Sequence, residues 1–149
     1  MISSPVESFP TLSELHQHSI QMKLLLDTCT FLWMIDSTEH LSSKAREALE
    51  DPSNSLAFHQ VSAWEIQIKY QSGKLKLATE PEVLIQEATS KLNLDYKPLQ
   101  NDDIWLLQKL PSYHKDPFDR ILIAHALSEG MKLVTPDPHI HKSPVPVFW

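Results

Sequence analysis

Residues 23–27 read Lys-Leu-Leu-Leu-Asp, a short apolar run that ends in a carboxylate. An apolar run of this length, without alternating polar residues, is typical of a strand that is buried on both faces of a parallel sheet. Similar segments recur along the chain and are separated by helical patterns. They predict strands at residues 56–60, 95–99 and 131–135, with a short edge strand at residues 145–148. Strands that alternate with helices predict an α/β protein, in which helices cover both faces of a central parallel sheet of four to five strands.

Capping residues, prolines and glycines indicate where the helices begin and end. Pro117 stands where the first turn of a helix favours proline, and Gly73 and Gly130 are typical of helix ends. The predicted helices cover residues 30–35, 42–50, 62–71, 82–92, 102–109 and 118–129. Residues 1–21 differ from the rest, because they contain prolines and several serines but no lysine or arginine. We therefore interpret residues 1–21 as a loose N-terminal extension and residues 22–149 as one functional domain.

The composition of the 149 residues limits the function classes. The hydrophobic fraction of 42% suits one folded domain, and the single cysteine, Cys29, cannot form a disulfide within the chain. The N-terminus does not resemble a secretion signal and no apolar run reaches about 20 residues, so we expect a cytoplasmic protein with no membrane contact. The net charge of −6 disfavours broad electrostatic binding to nucleic acid. Bound divalent cations would offset much of this charge, so a nucleic-acid enzyme is not excluded.

Five carboxylates are placed by the predicted elements at one end of the sheet. Asp27 ends the first strand, Asp137 lies just past the fourth, and Glu65 lies in the first turn of the helix after the second. Asp116 and Asp119 belong to the first turn of the last helix. In open α/β sheets, sites form beyond the carboxyl ends of the strands. Carboxylates about 4 Å apart repel by roughly 4 kcal/mol at an effective dielectric near 20, so this cluster indicates bound cations. Oxygen-only ligands favour Mg²⁺ or Mn²⁺, which can serve phosphodiester hydrolysis.

Four of these carboxylates also have local structural interpretations that the sequence leaves open. Ser62 and Glu65 fit a capping box, in which the glutamate only reaches back to a backbone N–H. Asp116 fits a helix cap and Asp119 a first-turn acid favoured by the helix dipole, and Asp137 fits a turn between two prolines. Asp27 is the exception, since an acid that ends a strand of leucines has no expected capping role.

Six stretches of the chain, taken in order, carry a resemblance to a known family. They read Leu-Leu-Leu-Asp-Thr-Cys-Thr-Phe-Leu-Trp (24–33), Val-Ser-Ala-Trp-Glu-Ile-Gln-Ile-Lys (61–69), Gly-Lys-Leu (73–75), His-Lys-Asp-Pro-Phe-Asp-Arg-Ile-Leu-Ile-Ala (114–124), Leu-Val-Thr-Pro-Asp (133–137) and Val-Pro-Val-Phe-Trp (145–149). With these stretches the chain resembles PIN-domain proteins, and among them the VapC-like toxins of bacterial toxin–antitoxin pairs. The resemblance extends from about Lys23 to Trp149 and implies a PIN-like, three-layer α/β/α fold.

The resemblance implies a Mg²⁺- or Mn²⁺-dependent endoribonuclease that hydrolyses RNA with metal-activated water. By position, Asp27, Glu65 and Asp119 match the metal-holding acids of the family, and Asp137 matches its fourth acid. Asp116 either shares the site or only caps the helix. The resemblance further implies an antitoxin protein as partner and a homodimer. Apolar residues of the first helix could supply an interface, namely Phe31, Leu32, Trp33 and Ile35.

Several neighbouring side chains are candidates for secondary roles. Thr28 and Thr30 flank the first acid and could orient it by hydrogen bonding, and we favour Thr28 for this role. Arg120 could contact an RNA phosphate or form a structural ion pair. The candidate phosphate contacts are Lys69, Lys74, Lys76, His114 and Lys115. Cys29 departs from the family pattern, which often has histidine at this position, and we interpret it as a small buried residue.

Aromatic and histidine side chains outside the acid group are interpreted as structural. Trp33, Trp64 and Trp105 fit apolar helix faces, and we expect them in the core or at an interface rather than as platforms for base stacking. His125 lies in the last helix without a partner at metal-ligand spacing, which predicts a structural role.

Two other functions are alternatives to the nuclease. A phosphatase of the haloacid dehalogenase type also has an aspartate at the end of its first strand, but that chemistry needs a second aspartate where this chain has Cys29. A catalytically silent binding module, which acts through a protein partner, is the alternative from a different class. The intact set of mutually repelling acids argues against it.

Overall fold

The computed structural model describes residues 21–111 and 115–149, which form five strands and seven α-helices. The strands are β1 (Lys23–Leu26), β2 (Ser55–His59), β3 (Asp95–Lys97), β4 (Lys132–Val134) and β5 (Val147–Phe148). The helices are α1 (Thr28–Asp36), α2 (Ser43–Glu50), α3 (Gln60–Gln71), α4 (Pro81–Lys91), α5 (Asn101–Leu106), α6 (Pro117–Glu129) and α7 (Pro138–His141). Single 3₁₀ turns follow α1 and α5, at Thr38–His40 and Leu107–Lys109. The expected N-terminal extension, apart from Gln21, and the candidate contact His114 lie outside the described residues.

All five strands run parallel, in the order β3-β2-β1-β4-β5. β1 is central, because Leu25 pairs with Ala57 of β2 on one side and with Leu133 of β4 on the other. The chain builds the sheet outward from β1 to β3, and then returns to the opposite side of β1 with β4. This reversal opens a crevice beyond the carboxyl ends of β1 and β4, the place where ligands bind in open α/β sheets.

The alternation of side chains along β1 divides the core into two layers. Leu24 and Leu26 are fully buried in one apolar cluster, together with Phe31 of α1 and residues of α2 and α4. Leu25 is fully buried in the opposite cluster, against Leu122 of α6. Because successive side chains of a strand point to opposite faces, three consecutive leucines need a helix layer on each side. The predicted three-layer α/β/α fold with a parallel sheet is confirmed.

Element boundaries differ from the expected ones mainly where a strand passes into a helix. α1 begins at Thr28 and α3 at Gln60, each two residues before the predicted start. In both places a single residue or none separates strand from helix, so the residue that ends the strand also caps the helix. The short helix α7 follows β4 where the sequence predicts a loop.

The aromatic residues expected in the core or at an interface are divided by the fold. Phe31 is fully buried, and its ring centroid lies 4.3 Å from that of Phe58, so it is not part of an accessible surface. Trp33 is half-buried. Trp64 and Trp105 are 60% and 63% exposed, so neither belongs to the core. Within the two described segments, no helix is long and apolar enough to cross a membrane.

Candidate active site

Asp27 lies at the point where β1 passes into α1. Its backbone N–H donates to the carbonyl of Val134 (3.2 Å), and its Oδ1 accepts a hydrogen bond from the N–H of Thr30 (2.8 Å). Asp27 therefore caps α1, and the expectation that it has no capping role is wrong. Burial raises the pKa of the Asp27 carboxyl, although hydrogen bonds from Thr135, Thr30 and Cys29 act in the opposite direction. The surrounding protein only partly stabilises this charge, so a cation nearby would stabilise it further.

Glu65 is held by two side chains, one at each oxygen of its carboxylate. Its Oε1 accepts a hydrogen bond from the Thr28 hydroxyl (2.6 Å), and its Oε2 accepts one from the Lys69 ammonium (2.6 Å). The Thr28 hydroxyl also lies 3.0 Å from the hydroxyl of Ser62. Thr28 therefore orients Glu65 and not Asp27, whose partners are Thr135, Thr30 and Cys29, so the role expected for Thr28 is corrected. The capping box considered for Ser62 and Glu65 is not formed, because α3 begins at Gln60 and Ser62 is already inside the helix. Glu65 is only 6% exposed, so its charge depends on these two partners.

Asp116 and Asp119 lie at the start of α6 and act on the same ammonium. Asp116 is exposed and caps α6, since its Oδ1 accepts from the N–H groups of Phe118 (2.9 Å) and Asp119 (3.1 Å). Asp119 is half-buried. The hydrogen bond to Glu65 raises the pKa of Lys69, and the charges of Asp116 and Asp119 add to this effect while burial opposes it. Glu65 therefore contacts the Lys69 ammonium directly, and Asp116 and Asp119 act on it through their charges.

Cys29 connects Asp27 electrostatically to Asp119. Its thiol lies 3.4 Å from Oδ1 of Asp27. Burial raises the pKa of the thiol, and the negative charges of Asp27 and Asp119 raise it further. The thiol is therefore protonated at neutral pH and donates weakly to Asp27, rather than serving as a nucleophile.

Asp137 joins the same end of the sheet through Thr135. Its side chain caps α7 by accepting from the N–H of His139 (2.9 Å), and its own N–H donates to the Thr135 hydroxyl (3.1 Å). Thr135 is also a hydrogen-bond partner of Asp27. One threonine thus links the acid that follows β1 to the acid that follows β4.

The five predicted acids lie at one end of the sheet, but their carboxyl groups do not meet at one point. Among the residues that the structure describes, no three of them place oxygen atoms within 4.8 Å of one another. Asp27, Asp116 and Asp137 each accept from a backbone N–H, and Glu65 accepts from a hydroxyl and an ammonium. Mutual repulsion between carboxylates favours this spread arrangement in the absence of a cation. An oxygen-only donor set in the crevice between β1 and β4 fits a divalent cation of the Mg²⁺ or Mn²⁺ type.

The basic residues proposed as phosphate contacts differ in their surroundings. Arg120 donates to the carbonyl oxygens of Leu107 (2.9 Å) and Pro111 (2.8 Å), so it fastens the chain that precedes α6. Lys69 contacts Glu65 while its side chain remains 47% exposed. The other described candidates are exposed at the surface, namely Lys74, Lys76 and Lys115.

A fully buried cluster of His59, Asp103 and His125, which the sequence does not predict, connects α5 to β2 and α6. Asp103 Oδ2 lies 3.0 Å from Nε2 of His59, and Oδ1 lies 2.9 Å from Nδ1 of His125. The N–H of Gln100 donates to the same Oδ2 (3.0 Å). His125 therefore has a charged partner, although its structural role stands. The available signal was weak: a histidine within an apolar strand or helix needs a buried partner, but the sequence does not show which one.

Distance alone would let this cluster hold a metal ion, because one ligand atom from each residue lies within 4.8 Å of the others. The protonation pattern favours hydrogen bonds instead. The N–H of Val61 donates to Nδ1 of His59 (2.9 Å), so the proton of the neutral ring sits on Nε2 and faces Asp103. A metal ion on Nε2 would shift that proton to Nδ1, against the N–H of Val61. Burial lowers the pKa of His59 and keeps the ring neutral, although Asp103 acts in the opposite direction.

The lowered pKa of His59 predicts a pH dependence of stability. The unfolded chain takes up a proton near the ordinary value of 6.5, whereas the folded chain resists it. His59 therefore favours the fold fully above that pH, and this contribution is lost as pH falls from 6.5 towards the folded pKa. We expect His59→Asn, which keeps a capping oxygen for Val61, to flatten the slope by up to about 1.4 kcal/mol per pH unit. Chemical denaturation between neutral and mildly acidic pH measures it. His40→Asn at an exposed site is the control, and equal slopes for wild type and His59→Asn would contradict the assignment.

Comparison with known proteins decides the family. A sequence profile of the PIN domain matches residues 24–144. The chain belongs to the PIN-domain family. The match spans the strands β1 to β4 and every acid of the candidate site. None of the curated protein sequences compared with this PIN-domain protein matches it.

Solved structures of low sequence identity share the fold. The structure of VapBC2 from Rickettsia felis, bound to a DNA fragment from its promoter, superposes with a TM-score of 0.62 at 18% identity, over 85% of this chain and 96% of that one. FitAcB from Neisseria gonorrhoeae gives a TM-score of 0.53 at 17% identity, with 85% and 96% covered. VapBC-5 from Mycobacterium tuberculosis gives 0.51 at 15% identity, with 80% and 88% covered. This PIN-domain protein therefore has a VapC-like fold.

Proposed function

We propose that the protein is a metal-dependent endoribonuclease and the toxin component of a toxin–antitoxin pair. The observation that carries this proposal is a pair of buried carboxylates, Asp27 and Glu65, at the crevice of a PIN-domain fold. Each accepts a hydrogen bond from the first turn of α1, Asp27 from the N–H of Thr30 and Glu65 from the hydroxyl of Thr28. Burial leaves the charge of Asp27 only partly stabilised by the protein, so this arrangement is better explained by function than by folding.

Asp27, Glu65, Asp119 and Asp137 are the residues we assign to holding Mg²⁺ or Mn²⁺, with Asp116 as a fifth candidate that also caps α6. Such an ion supplies Lewis-acid chemistry, which activates water and stabilises the leaving oxygen in phosphodiester hydrolysis. These oxygen ligands suit hard cations. Among the described residues of the site, no pair of cysteine or histidine side chains favours zinc.

Thr28 and Lys69 are the side chains that position Glu65. The Thr28 hydroxyl holds one carboxylate oxygen at 2.6 Å and leaves the other to Lys69. If Glu65 held a cation in place of Lys69, the ammonium would be available to contact a substrate phosphate, because the Lys69 side chain is 47% exposed. Lys115, at the start of α6, is a second candidate for RNA phosphate. Arg120 holds the backbone before α6, which favours a structural role for it.

We further propose an antitoxin protein as partner, a homodimer and a cytoplasmic location. The support is the fold shared with VapBC-5 from Mycobacterium tuberculosis, which is described as a member of the VapBC family of toxin–antitoxin systems. A surface for such contacts exists on α1, where Leu32, Trp33 and Ile35 are half-buried and pack at the edge of the core. Phe31 is excluded from this surface because it is fully buried.

The alternative of a catalytically silent binding module has one observation in its favour, which is the spread of the carboxyl groups. If the acids never take up a cation, only protein contacts remain as a function. Calorimetric titration with Mn²⁺ separates the two proposals, because the nuclease requires a site that binds metal and the binding module does not.

The proposed activity is tested with purified protein and a mixed pool of single-stranded RNA. We expect cleavage with Mg²⁺ or Mn²⁺, complete loss with excess EDTA, and recovery when metal is restored in excess. Asp119→Asn, prepared in parallel, should remain inactive and so exclude a contaminating nuclease. Cleavage that persists in EDTA, or equal cleavage by Asp119→Asn, would contradict the proposal. Absence of both cleavage and Mn²⁺ binding heat would favour the binding module.

A further inference from the structure

Trp64 is a large aromatic side chain at the surface, next to the proposed catalytic acids. It is 60% exposed and directly precedes Glu65 in α3. Its ring meets Phe118 of α6 edge-on, with centroids 5.3 Å apart and planes at 82°. Phe118 directly precedes Asp119 in the first turn of α6. Trp64 therefore lies where α3, which carries Glu65, meets α6, which carries Asp119.

The contact with Phe118 holds the indole in place without covering it. An edge-to-face contact is a preferred aromatic geometry, and it leaves much of the ring surface open. A free indole face of this kind can stack on a planar ligand at little conformational cost, because its orientation is already fixed.

The position of Trp64 beside the proposed acid site favours an RNA strand as its ligand. Glu65 is the next residue of α3, and Phe118, which the indole contacts, directly precedes Asp119. A strand whose phosphate reaches these acids therefore passes close to the indole. Lys69, whose ammonium contacts Glu65, adds a partly exposed positive charge on the same helix. A second copy of the chain would instead use the apolar neighbour Ile68, which is 41% exposed and lies one helical turn from Trp64.

We propose that Trp64 is a stacking platform for one base of a single-stranded RNA, adjacent to the phosphate that is hydrolysed. This inference rests on the proposed nuclease function and adds a binding subsite to it. The π-face of any base can stack on an indole, so the platform raises affinity without selecting a sequence. Bases in a duplex are already stacked on their neighbours, so the platform also favours single strands over double strands.

The test compares Michaelis constants for cleavage of a fluorescein-labelled, mixed-sequence, single-stranded RNA in Mn²⁺. Trp64→Leu keeps apolar packing against Phe118 but removes the aromatic face, and we expect it to raise KM about tenfold with kcat nearly unchanged. Trp64→Phe keeps an aromatic face and should raise KM much less. Trp105→Leu is the matched control, since Trp105 is equally exposed (63%) but packs near Leu127, at the far end of α6.

The outcomes distinguish this inference from the nuclease itself. An unchanged KM in Trp64→Leu, with normal wild-type cleavage, would overturn the platform and leave the nuclease standing. Equal increases in Trp64→Leu and Trp64→Phe would overturn it too, because stacking requires the aromatic face. A change of oligomeric state in sedimentation, with KM unchanged, would make Trp64 a contact between copies. If the wild-type protein cleaves no RNA, the nuclease function fails, and the platform fails with it.

Discussion

Replacement of Asp27 by asparagine is expected to reduce metal-dependent cleavage by roughly 10²- to 10³-fold or more, without loss of the fold. The charge of Asp27 is the property that a bound cation requires, and asparagine removes it while keeping the shape. Because the carboxyl lies between the ends of β1 and β4, its loss leaves the central position of the proposed site without charge. Initial rates of RNA cleavage with saturating Mn²⁺ measure the effect.

The same substitution is expected to leave the metal-free protein as stable as the wild type, or more stable. An asparagine oxygen can still accept the hydrogen bond from the N–H of Thr30 and cap α1, as the aspartate does at 2.8 Å. Asparagine also removes the buried negative charge of Asp27, whose desolvation raises the pKa of that carboxyl. Thermal unfolding in EDTA checks this expectation. Saturating Mn²⁺ should then raise the Tm of the wild type by several degrees, since a ligand at about 100 times its Kd contributes about 2.7 kcal/mol. It should not raise that of Asp27→Asn.

Asp36→Asn is the matched control for Asp27→Asn. Asp36 lies at the other end of α1, is exposed, and accepts a hydrogen bond only from the neighbouring Ser37 hydroxyl among the contacts described (2.9 Å). It should change neither cleavage nor the Mn²⁺ effect on Tm. If Asp27→Asn cleaves RNA at the wild-type rate, Asp27 does not hold the cation. If it unfolds in EDTA well below the wild type, its role is structural.

The fold was predictable because its signal is local. The three leucines of β1 require burial on both faces, and that requirement alone implies parallel strands between two helix layers. The positions of the acids relative to the strands follow from the same pattern. What the sequence could not give is the length of each turn. Asp27 was expected only to end a strand, yet α1 begins at the next residue, so Asp27 also caps a helix.

The partners of each acid were less predictable, since they depend on contacts between distant segments. Ser62 and Glu65 have the spacing of a capping box, but the earlier start of α3 turns Ser62 into an interior residue and gives Glu65 to Thr28, which is 37 positions away. Likewise, the spacing of Trp64 fits an apolar helix face. In the structure its ring meets Phe118 of α6 only edge-on and remains 60% exposed. Side-chain partners across such separations follow from packing, which no local pattern specifies.

The buried cluster around Asp103 is the position where a substitution should cost the most stability. Burial on its own would raise the pKa of Asp103, but hydrogen bonds from Gln100, His59 and His125 outweigh it and hold the pKa below its usual value. The carboxylate is therefore ionised and accepts three N–H groups in a site fully closed to solvent. Asp103→Ala leaves all three donors without a partner. We expect a loss of about 3–5 kcal/mol in the free energy of unfolding, or roughly 10 °C in Tm.

Asp102→Ala provides the control, because Asp102 is the adjacent residue of α5 but is exposed, and it should change stability by no more than about 0.5 kcal/mol. Equal effects of the two substitutions would show that the buried hydrogen bonds contribute little. Metal analysis of the purified protein decides the nature of the cluster: a stoichiometric transition metal that is present in the wild type and lost in Asp103→Ala would replace the hydrogen-bonded assignment. His59 caps α3, which carries Glu65, and His125 lies on α6, which carries Asp119. Asp103 thus fixes the positions of the two helices that carry these acids. We therefore expect Asp103→Ala also to lower cleavage at temperatures where the variant remains folded.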